Sequence, residues 1–230
     1  MESTHLPTEE EQYEAYCNIL KLAHGKAVTL RTLDIGGDKT LNYMELPKED
    51  NPFLGVRALR FCFENPELFR TQLRAALRAS AVGPLQIMFP MVGSMEDLRK
   101  AKAYLEEAKL ELRQRGETFD EHIRIGVMIE IPSIALLADQ VAQEVDFASI
   151  GTNDLTQYLC ASDRLNPKLT EYYQSYSPAL FRLLGFVAQE FTKHNKELSI
   201  CGELAGDKYA VKALIGLGYR KLSMNSANIA

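Results

Sequence analysis

The chain has 230 residues, 46% hydrophobic and 25% charged, with a formal net charge of -5. That suits one globular domain with a core of its own. The charge is spread along the chain without a basic tail or stripe, which argues against a nucleic-acid or membrane-surface role, and the apolar runs fall far short of a membrane span. The N-terminal MESTHLPTEEEQ is acidic and lacks an apolar signal core, so a cytoplasmic protein is expected. Cys17, Cys62, Cys160 and Cys201 are too scattered for a disulfide framework or a metal-binding pair and read as reduced thiols.

A helix is expected from Thr8 to about His24, followed by a β-rich stretch over 27–33 that Gly36 and Gly37 end. Residues 52–59 are a weaker strand candidate. Asn65-Pro66 opens a helix to about Ser80, with proline at the first helical position. Residues 85–91 form an apolar run of strand length, and Ser94 caps a long charged helix to about Arg115, ended by Gly116. A strand over 125–131 leads to a helix from Pro132 to about Val141, and a strand over 147–150 to a polar, tyrosine-bearing connection with helical stretches over 155–176. Ser177-Pro178 opens a helix to about His194, 198–201 is a strand, Asp207 caps a helix to about Leu217, and 222–224 is a last short strand.

Six or seven strands joined by helical crossovers indicate parallel β/α units, in a doubly wound sheet or a barrel. No GxGxxG follows the first strand, which weakens the dinucleotide-binding version. Polar residues cluster after several different strands, as at the mouth of a barrel, although a barrel needs eight strands and at most about seven are counted, so both α/β arrangements stay open. No linker, repeat or low-complexity tract divides the chain, and 1–230 reads as one domain.

Two of the strands end in an acid. In 125–131, Ile125, Val127, Ile129 and Ile131 share one face and Gly126, Met128 and Glu130 the other, so Glu130 points inward nearest the mouth. Asp154 follows the next strand at the same rim. Two carboxylates with few histidines suit a hard cation, Mg²⁺ or Mn²⁺, rather than zinc; carboxylates paired with arginine or capping a helix are the structural alternative. Arg31 lies within an apolar strand, Arg57 follows Gly55-Val56, and Arg164 follows the strand end at Asn153-Asp154. Guanidinium groups bond carboxylate and phosphate in pairs, so their convergence would serve a multiply anionic ligand. Arg60, Arg70, Arg74 and Arg78 share helical stretches and read as exposed salt-bridge residues. Lys39, after Gly36-Gly37-Asp38, is placed to reach a phosphate, although the loop is no Walker motif. Cys201 at a strand end is either inert core or a proton donor or nucleophile. The four histidines sit in polar or helical contexts and read as surface residues.

RTLDIGGDK (31–39), NPFLGVRALR (51–60), IMFPMV (87–92), GVMIEIPS (126–133), SIGTNDLTQY (149–158) and CGELAGD (201–207) occur together in this order. The set resembles the phosphoenolpyruvate-binding domain of enzyme I of the bacterial sugar phosphotransferase system, within the wider PEP-utilising family. SIGTNDLTQY and CGELAGD favour enzyme I over pyruvate phosphate dikinase and phosphoenolpyruvate synthase. The resemblance implies an α/β fold, a (β/α)8 TIM-type barrel incomplete here with about seven of its eight strands, that binds phosphoenolpyruvate and Mg²⁺. Glu130 and Asp154 would hold the metal, Arg31 and Arg164 would grip phosphate and carboxylate with Asn153 adding a contact, and Arg57 and Lys39 would line the phosphate side. Cys201 would protonate the enolate carbon to give pyruvate. The phosphoryl acceptor would be a histidine on a separate domain of the parent protein, which serves an HPr-type phosphocarrier, and the family's dimerisation implies a homodimer. Nothing here matches that phospho-histidine domain, and the family's first barrel strand, with a further arginine, has no counterpart. The chain therefore reads as a fragment that retains catalytic parts or, alternatively, only self-associates.

Overall fold

The computed structural model describes residues 5–36 and 48–229. The chain forms two compact units, Met1–Met91 with Glu96–Ile125 and Val92–Met95 with Gly126–Ala230.

The first unit opens with α1, Glu9–Leu22. Thr8 starts it: its hydroxyl accepts the Glu11 N–H at 3.2 Å while the Glu11 carboxylate accepts the Thr8 N–H at 2.8 Å, satisfying two otherwise orphaned donors. Then come β1 (Val28–Arg31), α2 (Leu59–Glu64), α3 (Pro66–Ser80), β2 (Leu85–Phe89) and α4 (Met95–Arg115). β1 and β2 are parallel, Leu30 beside Ile87 and Arg31 beside Met88. β2 is buried at every residue, and α3 buries Phe69, Leu73, Ala76 and Leu77. Gly116, at φ +69, ends α4 as its sequence position anticipates.

Residues 52–59 are not a strand. Pro52–Leu54 is a 3-10 turn and α2 follows at Leu59. Pro52 has no N–H to give a strand ladder. Ala58, at φ +51, turns the chain so that its N–H reaches the Ile35 carbonyl at 2.9 Å. The described residues therefore hold six strands rather than about seven.

Guanidinium groups tie α1, α3 and α4 together. Arg74 bonds Glu9, Glu67 and Glu111 at 2.8, 2.9 and 2.7 Å, and Arg78 bonds Glu9 and Glu10 at 3.1 and 2.9 Å. Arg70, Arg74 and Arg78 do form salt bridges, but Arg74 is buried and Arg70 and Arg78 are half-buried rather than exposed. Arg60 instead donates to the Leu54 and Gly55 carbonyls.

The second unit takes β3 (Arg124–Ile129) from Gly126 onward, then α5 (Pro132–Leu136), α6 (Ala138–Glu144), β4 (Phe147–Gly151), α7 (Thr152–Cys160), α8 (Pro178–Lys193), β5 (Glu197–Cys201), α9 (Ala210–Gly216) and β6 (Lys221–Leu222). The helix expected from Pro132 is broken at Leu137 into α5 and α6. β3, β4, β5 and β6 pair in sequence order, each pair parallel. α8, capped by the Ser177 hydroxyl, buries Leu180, Leu184, Val187 and Phe191. Strands alternating with helices in both units make the fold α/β. No helix among the described residues is long and apolar enough to cross a membrane.

The Arg74 cluster gives a pH-dependent prediction. Burial pushes the Glu9 carboxyl up, but hydrogen bonds from Arg74 and Arg115 outweigh it and leave the pKa below the ordinary value of 4.5. A carboxyl lowered on folding contributes stability above its unfolded pKa and loses that contribution as pH falls through the folded one. Arg74→Ala is expected to lower stability at pH 7 by about 2 kcal/mol in urea unfolding, because it strands partly buried carboxylates. The gap to the unsubstituted chain should narrow as the pH falls below 4.5. A gap that stays constant with pH would remove the charge argument.

Candidate functional site

Three strand ends come level in the second unit. The parallel register sets Ile129 beside Ile150 and Gly151 beside Cys201, so Glu130, Gly151 and Cys201 form one row at the carboxyl ends of β3, β4 and β5. Glu130 is only 1% exposed. A Cβ on Gly151 would lie 2.7 Å from Glu130 Oε2 and 2.9 Å from the Glu130 Cβ. The missing side chain is what gives the carboxylate room beside the neighbouring strand.

α7 starts directly after β4 and carries Asn153 and Asp154 in its first turn, where a negative charge is favoured by the exposed helix N–H groups. Asp154 is buried. Asn153 is held twice: its Oδ1 accepts the Glu203 N–H at 3.1 Å, and its carbonyl accepts the Tyr173 hydroxyl at 3.1 Å. Thr152 Oγ1 donates to the Cys201 carbonyl at 2.7 Å. Gly202, at φ +91, makes this approach possible, since a Cβ there would collide with Thr152 Oγ1 and lie 2.8 Å from Asn153 Oδ1.

Arg164 follows the reversal at the end of α7. Its N–H donates to Gln157 Oε1 at 3.0 Å. Its guanidinium Nε is buried with no hydrogen-bond partner among the described residues. A buried donor left unsatisfied is costly, so the position suits an incoming anionic acceptor. Tyr173 is nearby: burial pushes its phenol up, Arg164 draws it down, and Glu203 and Asp154 push it up again. The Cys201 thiol donates to the Ile150 carbonyl at 3.1 Å, a contact that suits the protonated form, because a thiolate would face the carbonyl oxygen with like charge.

The structure thus brings five sequence-predicted residues, Glu130, Asn153, Asp154, Arg164 and Cys201, into the second unit, at strand ends or in the segment that follows one. Glu130 and Asp154 supply oxygen donors alone, and the room beside Glu130 is kept open by Gly151. That donor set fits a hard cation whose remaining positions are filled by ligand oxygens and water. No group of three or more His, Cys, Asp or Glu side chains placed to hold an ion occurs among the described residues.

The first unit holds the other arginines. Arg31 ends β1, and its side chain is 43% exposed, 3.9 Å from Asp34. Arg57 is 1% exposed and grips Asp34 through two bonds of 3.0 and 3.2 Å. Asp34 is therefore a fixed partner for Arg57, a role the sequence reading did not assign. Burial, and then the Asp34 carboxylate, pushes the Cys62 thiol up to about 12, so it is inert at neutral pH. Lys39 lies outside the described residues. Gln157 and Tyr173 were also missed. Helical spacing points to Gln157, one turn beyond Asn153 and Asp154, whereas nothing local marks Tyr173, twenty residues from the group it bonds.

The family model described as "PEP-utilising enzyme, PEP-binding domain" matches residues 1–230, and the chain belongs to that family. It is 52% identical over 224 residues to a phosphoenolpyruvate-protein phosphotransferase of Bacillus subtilis, covering 97% of this chain and 39% of that protein. It is 53% identical over 225 residues to the protein of the same name from Listeria monocytogenes, covering 98% and 39%. The chain thus spans well under half the length of these relatives. Among solved structures, an HpcH/HpaI aldolase from Desulfitobacterium hafniense superposes with a TM-score of 0.50 at 15% identity, over 94% of this chain and 73% of that one. This likeness bears on the fold alone, an incomplete β/α barrel.

Gly151→Ala tests the close approach at the row of strand ends. The added Cβ must displace Glu130, and the expected cost is about 2 kcal/mol by denaturant unfolding. Unchanged stability would show that the carboxylate does not lie across β4.

Proposed function

We propose that this chain is the phosphoenolpyruvate-binding part of an enzyme I, a phosphoenolpyruvate-protein phosphotransferase that moves the phosphoryl group of phosphoenolpyruvate to a histidine on a separate domain and releases pyruvate. The observation that carries this reading is identity of about half the residues, across nearly the whole chain, to relatives bearing that name. Residues 1–230 are read as a single domain of a parent protein that is cytoplasmic and dimeric. That parent passes phosphate to an HPr-type carrier as the first step of sugar uptake.

Glu130 and Asp154 are assigned to Mg²⁺, which when bound would neutralise charge on the substrate's phosphoryl and carboxylate oxygens. Arg164 supplies a guanidinium whose buried Nε lacks a partner among the described residues, a fit to an anionic oxygen. Asn153, with Oδ1 occupied by the Glu203 N–H, has its amide N–H₂ left to donate. Arg31, Arg57 and Lys39 keep the anion-binding roles expected from the sequence; for Arg57 the pairing with Asp34 fixes the guanidinium plane. Phosphoryl transfer depends on positioning and charge stabilisation more than on covalent help from side chains.

In the transfer, the phosphorus–oxygen bond of the enol ester breaks as the histidine nitrogen takes the phosphoryl group, and the electron pair stays on the enolate oxygen. The Cys201 thiol then gives its proton to the enolate methylene carbon, forming pyruvate and a thiolate that regains a proton from solvent. The hydrogen bond from Cys201 Sγ to Ile150 suits this order, since it favours the protonated thiol before transfer.

Calorimetric titration of phosphoenolpyruvate with Mg²⁺ present, and again with EDTA, tests the assignment. Metal-dependent binding is expected in the unsubstituted chain and in Cys201→Ala, and is expected to be lost in Glu130→Gln. In the parent protein, Cys201→Ala should abolish pyruvate formation while leaving substrate binding in place. No metal-dependent heat at millimolar ligand, or unchanged turnover of Cys201→Ala, would contradict the respective assignment.

A further inference from the structure

α7 carries a residue that the assignments above leave without a role. Gln157 lies three residues after Asp154 and four after Asn153, on the same side of the helix, and is 4% exposed. Both of its acceptors are engaged in reversing the chain. Its carbonyl accepts the N–H of Ala161, which sits in the left-handed region at φ 49, and the N–H of Ser162 at 3.0 Å. Its side-chain Oε1 then accepts the N–H of Arg164 at 3.0 Å. The first pair is an ordinary helix ending that any residue provides. The second needs a side-chain oxygen at this distance from the helix axis.

The rest of the segment is fastened on either side of that bond. Buried Ser162 donates through its hydroxyl to the Leu169 carbonyl at 3.3 Å, and Asp163 Oδ1 accepts the Leu165 N–H at 2.9 Å. Further along, the Tyr173 hydroxyl donates to the Asn153 carbonyl at 3.1 Å. The segment after α7 is therefore fixed to its own helix at two places, Gln157 and Asn153, with Arg164 between them in sequence. Arg164 makes this matter, because its Nε is buried with no partner among the described residues. A long side chain held with an unmet donor has its direction set by its backbone.

We propose that Gln157 is the positioning residue for Arg164: its side-chain oxygen fixes the Arg164 backbone and thereby aims the guanidinium at the substrate's anionic group. This rests on the reading of the site as a phosphoenolpyruvate site. Gln157 touches no reacting atom in this account and acts through Arg164 alone. Metal binding by Glu130 and Asp154 is independent of it.

The test uses the full chain with phosphoenolpyruvate and Mg²⁺ in calorimetry, and Mn²⁺ alone followed by its electron paramagnetic resonance signal. Gln157→Leu keeps the size and removes the acceptor. Its affinity for phosphoenolpyruvate is expected to fall about tenfold, as for loss of one well-aimed charged hydrogen bond. Its Mn²⁺ affinity should stay near that of the unsubstituted chain. In the double variant with Arg164→Ala, the loss should equal that of Arg164→Ala alone, since a residue acting through another adds nothing once that partner is gone. Gln157→Met makes the same comparison with an unbranched side chain should the leucine variant fold poorly. Equal phosphoenolpyruvate affinity in the single variant, additive losses in the double, a parallel loss of Mn²⁺ binding, or failure of both variants to fold would each overturn the positioning role. Absence of phosphoenolpyruvate binding by the unsubstituted chain would instead overturn the functional reading, and this inference with it.

Discussion

The parallel register of β3, β4 and β5 sets where every candidate group of the second unit can be. Parallel strands share a direction, so their carboxyl ends fall on one side, and the pairing of Ile129 with Ile150 and of Gly151 with Cys201 fixes how level those ends are. A shift of one residue in either pairing would turn the side chains of that strand to the opposite face. The register is held by burial on both faces, since every residue of β4 is buried and β3 is buried from Gly126 onward. The chemistry at the strand ends thus rests on apolar residues that take no part in it.

Two glycines adapt this frame to polar groups. Gly151 leaves the space that the Glu130 carboxylate needs, and Gly202 lets the segment after β5 approach the start of α7 closely enough for the Glu203 N–H to reach Asn153. The frame itself brings carboxylates into nearly water-free positions, where an isolated negative charge is unfavourable. The same holds in reverse for the buried Nε of Arg164. In the first unit Arg57 and Asp34 close on each other. The contrast between a guanidinium gripped by a carboxylate and one with an unmet buried donor is the basis for treating Arg164 as a ligand-facing group.

Much of this was legible in the sequence. The apolar runs at 85–91, 125–131, 147–150 and 198–201 each contain a strand, because buried parallel strands read as continuous hydrophobic stretches. The helix starts at Thr8 and Ser177 and the proline at the start of α3 also read correctly, since they are set within a few residues. Residues 52–59 misled because Phe53, Leu54 and Val56 imitate a strand, while the contacts that bend the segment, Ala58 to Ile35 and Arg57 to Asp34, join positions more than twenty residues apart. α7 was hidden for a similar reason: Thr152 to Asp154 read as the tail of a strand, and its helical continuation merged with the polar connection after it. The contacts of Asp34 with Arg57, of Gln157 with Arg164 and of Tyr173 with Asn153 are ones that no motif announces.

Under the proposed function, Glu130 and Asp154 hold one divalent cation for phosphoenolpyruvate. An anomalous-difference map from crystals of this chain soaked with Mn²⁺ and phosphoenolpyruvate tests it most directly. A single Mn²⁺ peak bonded to a carboxylate oxygen of each residue is expected, with oxygens of phosphoenolpyruvate completing its shell. A peak bonded to neither carboxylate, or no peak at saturating Mn²⁺ with the substrate bound, would contradict it.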